Sequence, residues 1–434
     1  MRFAFPRLFP VLLLIIAGVL PFISSCATKA VSEPPAAAVE PPKTKPPNAV
    51  PMWLGNPTRT FFGTGPMPKA LKVIWDFKTS STRGRLHPDP WGGSGWPGQP
   101  AIVGDRVYFG SADSYVYCVN KSDGSVIWKY KTTDSAKSSP CVVGDRLVIG
   151  NLDHTVYCLN TNDGSLVWKY QTGFETDSSS SIVDDRVYIG GEDHFYYCFD
   201  LNDGKIIFKT QLGGSVEGGT TVVDDRIYVD TEAGDLFCLN RDDGSIIWKA
   251  RVGADSNSTP AVVNGLVYTA AEDGIVRCYK ADNGELVWTY KAEGGLNQKT
   301  KEKNGFWASP IVVNNRLYIG CNSGYLYCLS ADKGELVWRH LMRAAIWGSS
   351  PVVDDCVVFG DKSGYVYELN AANGDLITEL KIGDNVDATP AVLDGRIYVG
   401  AFNGKFYCLG EDEAVGSQQS DVSSQPSTIP KVTS

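Results

Sequence analysis

One cysteine recurs along this chain with a fixed step. It falls at Cys118, Cys158, Cys198, Cys238 and Cys278, 40 residues apart each time. A step of 50 leads to Cys328; Glu368 then holds the place 40 on, and Cys408 follows after 40 more. An aromatic keeps pace ten residues behind: Trp128, Trp168, Phe208, Trp248, Trp288 and Trp338, with Thr378 at the seventh place. Between cysteine and aromatic stands a turn: Asp123-Gly124, Asp163-Gly164, Asp203-Gly204, Asp243-Gly244, Asn283-Gly284, Lys333-Gly334 or Asn373-Gly374. A repeat of this length restricts the chain to folds in which each unit buries its faces against neighbouring copies.

The unit from Pro140 to Tyr170 shows what is repeated. Four short runs rich in Val, Ile, Leu, Tyr and Trp cover Pro140–Val143, Arg146–Ile149, Thr155–Leu159 and Ser165–Tyr170. The gaps are Gly144-Asp145, Asp153-His154 and Asn162-Asp163-Gly164, residues that tolerate the positive φ of a tight hairpin. Four strands per period of about 40 predict a β-propeller blade. The ends set the blade number. After Cys408 no fourth strand follows, and before the first full unit a lone strand, Val73–Thr79, carries Trp75-Asp76-Phe77-Lys78 in the pattern of Trp128-Lys129-Tyr130-Lys131. Joining the two completes eight four-stranded antiparallel blades and removes a free sheet edge. The expectation is an all-β, closed eight-bladed ring over residues 72–409, in which residues 72–79 form the outer strand of the last blade. An open superhelical stack is the alternative, and it leaves the matched ends unexplained.

Outside the repeat, residues 1–26 read as a secretory signal. Arg2 and Arg7 precede an apolar run, Val11–Leu20, too short to span a membrane. The run ends in Ile23-Ser24-Ser25-Cys26, which resembles the lipobox of bacterial lipoproteins. The resemblance implies lipidation of Cys26; the alternative is an ordinary signal with a chance cysteine. Residues 27–71, Pro- and Ala-rich, are expected to be a tether, Trp53 included. Residues 410–434 are expected to be a disordered polar tail. Net charge is −9 with no basic block in the mature part, which argues against nucleic acid as a partner. The periodic cysteines sit in different blades, farther apart than the roughly 7 Å Cα separation a disulfide spans. Cys321 and Cys356 are assigned to opposite faces, so no structural disulfide is expected.

Meander parity puts the blade-to-blade loops and the second-to-third-strand hairpins on one face. Two connections are long, Ser80–Gln99 and Ala292–Ser309, and both belong to that face. Six tryptophans occupy the periodic outer-strand place. Four others, Trp91, Trp96, Trp307 and Trp347, lie in blade-to-blade loops, with Phe306 beside them. These five residues are the candidate binding face, able to offer a rigid apolar surface to a peptide, sugar or flat ring. Alternatively they plug the channel mouth against one another. Asp177, Glu217, Asp255, Asn257 and Asp387 also lie in these loops and could converge on a calcium ion. Polar residues are expected in such loops anyway, so no metal site is assigned. His87, His154, His194 and His340 map to or near the same face. His154 and His194 hold equivalent hairpin places, where a turn residue serves the backbone. No phosphate loop, nucleophile elbow or zinc signature appears, and no catalytic residue is assigned.

The unit Val116-Tyr117-Cys118-Val119-Asn120 with Asp123-Gly124-Ser125-Val126-Ile127-Trp128 resembles the repeat of quinoprotein-type propellers. With a lipobox and a single propeller, the chain is similar to the BamB family of outer-membrane barrel-assembly lipoproteins. The resemblance implies a monomeric scaffold without enzymatic activity or cofactor. It would be lipid-anchored on the periplasmic side, at the outer membrane, and bind a protein partner such as a β-barrel assembly subunit. The alternative is a propeller binding a small molecule, pyrroloquinoline quinone or a carbohydrate, as a receptor or quinone-dependent oxidoreductase. Quinoprotein dehydrogenases carry an adjacent Cys-Cys pair, and no such dipeptide occurs here.

Overall fold

In each unit the third strand is apolar on both faces, whereas the fourth buries one main position. Thr155–Asn160 is buried along nearly its whole length, while in Leu166–Gln171 only Trp168 is fully buried. That asymmetry fits a strand in the middle of a stacked sheet and a strand at its rim. The computed structural model describes residues 49–79, 98–293 and 304–411. Cys26 and its signal, the first part of the tether, His87, Trp91, Trp96 and the tail beyond 411 lie outside them. Pro46–Ser434 is one unit and Met1–Lys45 another.

The described residues form eight antiparallel sheets, taken here as blades 1–8. Blade 1 contains Ala101–Val103, Arg106–Ser111, Tyr115–Asn120 and Val126–Lys131. Blade 8 contains Ala391–Leu393, Arg396–Ala401 and Lys405–Gly410, completed by Lys72–Lys78. Trp75 stands opposite Cys408, the register that Trp128 has opposite Cys118. Lys405 Nζ to Asp76 Oδ1 at 3.0 Å adds an exposed ion pair across the seam. The ring is therefore closed by the first long strand of the chain.

The periodic tryptophan explains why the turn glycine recurs with it. Trp128 Nε1 donates to Thr161 O in the next blade at 2.8 Å, and Trp168 does the same to Leu201 O at 2.7 Å. The indole lies flat under the next turn. A Cβ at Gly164 (φ +73°) would sit 2.6 Å from the Trp128 ring. Glycine is needed there twice, for the left-handed backbone and for the ring's approach. Blade 8 docks on blade 1 by the same device: Trp75 Nε1 donates to Lys121 O at 3.1 Å and its ring underlies Gly124. Phe109 and Phe406 stack across this junction with centroids 4.1 Å apart. The ten described cysteines are free thiols.

Residues 49–71 depart from the tether expected of them. Ala49–Val50 pairs with Ala101–Val103 as a fifth strand of blade 1. The chain then crosses the ring. Pro51 O accepts from Val142 N–H at 2.8 Å, Pro57 O accepts from Val222 N–H at 2.9 Å, and Gly63 bridges Val392. Inner strands have unpaired edge groups facing the axis, and the segment satisfies several of them. Met52, Trp53, Leu54 and Phe62 are buried in the process. Arg59, 2% exposed, donates from Nε to Thr220 O at 2.9 Å, from Nη2 to Ser181 Oγ at 2.6 Å and from Nη1 to Trp53 O. Leu54 and Arg59 have positive φ, and Pro51, Gly55 and Pro57 interrupt any strand period. The segment is thus an axial plug built from turns, a form that periodicity does not reveal.

Candidate functional site

The blade-to-blade loops are locked to one another by side-chain hydroxyls spaced one repeat apart. Gln99 N–H donates to Ser139 Oγ (2.9 Å), Gly219 N–H to Thr259 Oγ1 (2.7 Å), Thr259 N–H to Ser309 Oγ (2.8 Å), Ser309 N–H to Ser349 Oγ (2.9 Å) and Ser349 N–H to Thr389 Oγ1 (2.8 Å). Each bond joins one blade to the next, so the belt fixes the loops around the axis. Gly219 lacks the hydroxyl; a Cβ there would lie 3.2 Å from Cδ1 of Trp53. The belt gives way where Trp53 of the plug packs.

Above this belt opens a funnel with a cavity of about 80 Å³. Trp53 floors it, and Lys137, Asp177, Glu217, Asn257, Trp307 and Trp347 line it, one from each of six successive loops. One side is acidic. Carboxylate oxygens of Asp177, Glu192 and Glu217 lie within 4.8 Å of one another. Such hard oxygen donors can hold a cation. Lys137 Nζ stands 4.0 Å from Asp177 Oδ2. Burial, followed by neighbouring carboxylates, pushes Glu192 and Glu217 well above the usual carboxylate range, and burial raises Asp177 against the pull of Lys137. Asp255 is pushed up to about 6 by burial and then by Glu232 and Glu272. Asp177 Oδ1, Asp255 Oδ1, Asn257 Oδ1 and Trp53 Nε1 are buried with no hydrogen-bond partner among the described residues.

The other side is aromatic. Trp307 and Trp347 stack with centroids 4.2 Å apart and planes at 27°. Lys362 Nζ lies 3.2 Å above the Trp347 ring, and Trp307 Nε1 donates to Glu272 Oε1. Of the five aromatics expected at the mouth, these two are brought together there. Phe306 is not on the surface: it is 0% exposed and packs edge-on against Tyr327 at 6.2 Å. Its backbone N–H is tied to Ala271 O at 3.1 Å, which turns the ring into the space between two blades. Trp91 and Trp96 lie outside the described residues.

His154 and His194 have φ of 64° and 69°, the left-handed turn conformation. His340 lies in the outer strand Leu336–Leu341, not on the loop face, and its Nδ1 is 2.8 Å from Gly374 O of the next blade. Of the polar residues named from the loops, Asp177, Glu217 and Asn257 share the funnel lining. Glu192 and Trp53 were missed. A signal for Glu192 was present: Glu192, Glu232 and Glu272 hold one hairpin place at steps of 40. Three consecutive blades thus turn an acid toward the same face.

The same ring occurs in proteins of known structure, although no curated protein sequence matches the chain. The solved structure of BamB from Moraxella catarrhalis aligns with a TM-score of 0.62 at 18% identity, over 79% of this chain and 98% of that one. A europium-containing methanol dehydrogenase aligns at 0.68 and 14% identity, over 84% and 98%. The quinohemoprotein alcohol dehydrogenase of Comamonas testosteroni aligns at 0.68 and 14%, over 89% and 83%. At these identities the likeness is one of fold. The expectation that the chain is not an enzyme is overturned by these neighbours, because the same ring serves oxidoreductases.

The described residues of the funnel fit a quinone cofactor poorly. The cavity has room for about six water-sized groups, too few for a fused tricyclic ring. A quinone bearing several carboxylates would also meet Asp177, Glu192 and Glu217. That mismatch concerns the quinone alone. A family model described as outer membrane protein assembly factor BamB matches residues 72–212, 193–345 and 299–429, so every blade lies within a match. The chain therefore belongs to the BamB family of PQQ-type repeat propellers.

Proposed function

We propose that this chain is an envelope protein, anchored through Cys26 on the periplasmic side of the outer membrane, whose loop face binds a protein partner in a BamB-like role. The observation that supports it most is the family match across the whole ring. The loop face adds a concave funnel with one acidic and one aromatic wall, held by a hydroxyl belt. A rigid scaffold with such a concavity is suited to recognition, because little ordering is required on binding. The opposite face, among the described residues, carries short turns such as Asp163-Gly164, with Thr64 packed on the Asp394-Gly395 turn.

Site-specific photo-crosslinking in intact cells tests the reading. A photoreactive residue replacing Glu272, exposed on the funnel rim, should capture a β-barrel assembly subunit. One replacing Asp163, on the far face, should not. Capture from position 163 alone, or none from position 272, would count against it. A second reading, small-molecule binding in the funnel, is favoured by the unpartnered Asp177 Oδ1 and Asn257 Oδ1.

A further inference from the structure

We propose that the axial funnel binds a primary ammonium group, with the alkyl chain that carries it laid against the Trp307–Trp347 pair. The proposal rests on the loop face being a recognition surface, and it names the chemistry recognised there.

Unmet hydrogen-bonding capacity is the first argument. The Asp177 side chain is 10% exposed, and its Oδ1 is buried without a partner among the described residues. Asn257 Oδ1, lining the same cavity, is also buried and unpartnered. Trp53, 8% exposed at the floor, has an unpartnered indole N–H. Buried polar atoms without partners are costly, and these three line one cavity. Two of the three are acceptors. An alkylammonium group offers three donors and no acceptor.

Charge gives the second argument. Asp177, Glu192 and Glu217 crowd within 4.8 Å. Burial first, and their mutual repulsion second, make them retain protons; a cation among them favours the charged forms, so binding should release protons.

The opposite wall decides the kind of cation. Calcium or magnesium seeks six or more oxygen ligands, whereas this cavity is closed on one side by stacked indoles. An ammonium with an alkyl chain uses both walls, through charge on one and cation–π and apolar contact on the other. The chain's own lysines already show this chemistry: Lys362 Nζ lies 3.2 Å above Trp347, and Lys137 Nζ 4.0 Å from Asp177. The cavity of about 80 Å³ suits a chain of a few carbons.

Titration of the mature protein with butylammonium chloride, followed by tryptophan fluorescence and calorimetry, tests this. Saturable binding with proton release is expected at pH 7.5, with none for butanol. Asp177→Asn and Glu217→Gln should each weaken it by about tenfold, and Trp347→Ala by a smaller factor. If either carboxylate variant fails to fold, Glu192→Gln and Asn257→Ala supply the same comparison. Absence of saturation, equal affinity in the carboxylate variants, or tight calcium binding that butylammonium cannot displace would each overturn the proposal. The peptide acetyl-Gly-Lys-Gly-amide separates two sources of the group. Binding of both probes points to a partner's lysine, and binding of butylammonium alone to a free amine. Crosslinking at position 272 is read independently, so failure of the ammonium site leaves the partner reading standing, and the reverse also holds.

Discussion

At the scale of single residues, the repeat is held by pairs one blade apart. The turn glycines separate two costs that usually come together. Gly144 has φ +58° and open space where a Cβ would stand, with nothing within 4 Å, whereas at Gly164 the Cβ would meet the Trp128 ring at 2.6 Å. Gly144→Ala should cost about 1 kcal/mol for the left-handed backbone alone. Gly164→Ala should cost about 3 kcal/mol, because the indole must move as well. Denaturant titration of both variants checks the difference, and equal losses would show that the ring does not rest on the turn. Buried carboxyls supply a second residue-level prediction. Asp230, 0% exposed, accepts from Ser256 Oγ at 3.0 Å, from Ser258 Oγ at 3.2 Å and from Thr269, yet burial pushes it from 3.8 to about 7. Between those values the unfolded chain releases its proton while the folded one keeps it. Stability should therefore fall as pH rises from about 4 to 7, by on the order of 2–4 kcal/mol, and be level above that. Asp230→Asn should lower the slope of melting temperature between pH 4.5 and 7; parallel curves for the two proteins would refute the assignment.

At the scale of elements, the sequence was legible wherever the repeat operated. The opposition of Trp75 to Cys408 followed from matched ends alone. The two exceptions, Glu368 and Thr378, were visible as exceptions but not as a pair. Both belong to blade 7, next to the blade whose outer strand closes the ring, and they stand opposite each other. Thr378 Oγ1 accepts from Leu71 N–H at 3.4 Å, so a small hydroxyl replaces the indole where the chain passes from the plug to the outer strand of blade 8. Glu368 is buried with neither oxygen partnered, and burial, with Glu411 adding, pushes it to about 8. The plug was not legible, because turns held by Arg59 and by contacts with blades 1, 2, 3, 4 and 8 leave no local period. Its apolar residues Met52, Trp53, Leu54 and Phe62 were the available clue. Arg59→Ala strands the carbonyls of Trp53 and Thr220 in the interior. It should destabilise the protein by about 3 kcal/mol, measurable as a shift in denaturant midpoint with unchanged slope. A loss under about 0.5 kcal/mol, the range of ordinary surface changes, would mean the plug contributes little.

At the scale of the whole molecule, the loop face acts as a site only because the ring is closed. The hydroxyl belt, the acid cluster and the tryptophan pair are each built from several loops, and an open ring would let them drift apart. Within the funnel, Asp177, Glu217 and Asn257 were readable as candidates because they share a loop place. Glu192 needed the hairpin places to be aligned as well. Phe306 misled because a loop position does not say which way a ring turns. The decisive test is amide hydrogen exchange of the intact mature protein, read on the peptide covering Lys405–Gly410. A closed ring predicts protection equal to that of the equivalent third strand Tyr325–Ser330, with Lys72–Lys78 protected alongside it. Rapid exchange of outward-facing amides in 405–410, as at a free sheet edge, would contradict closure.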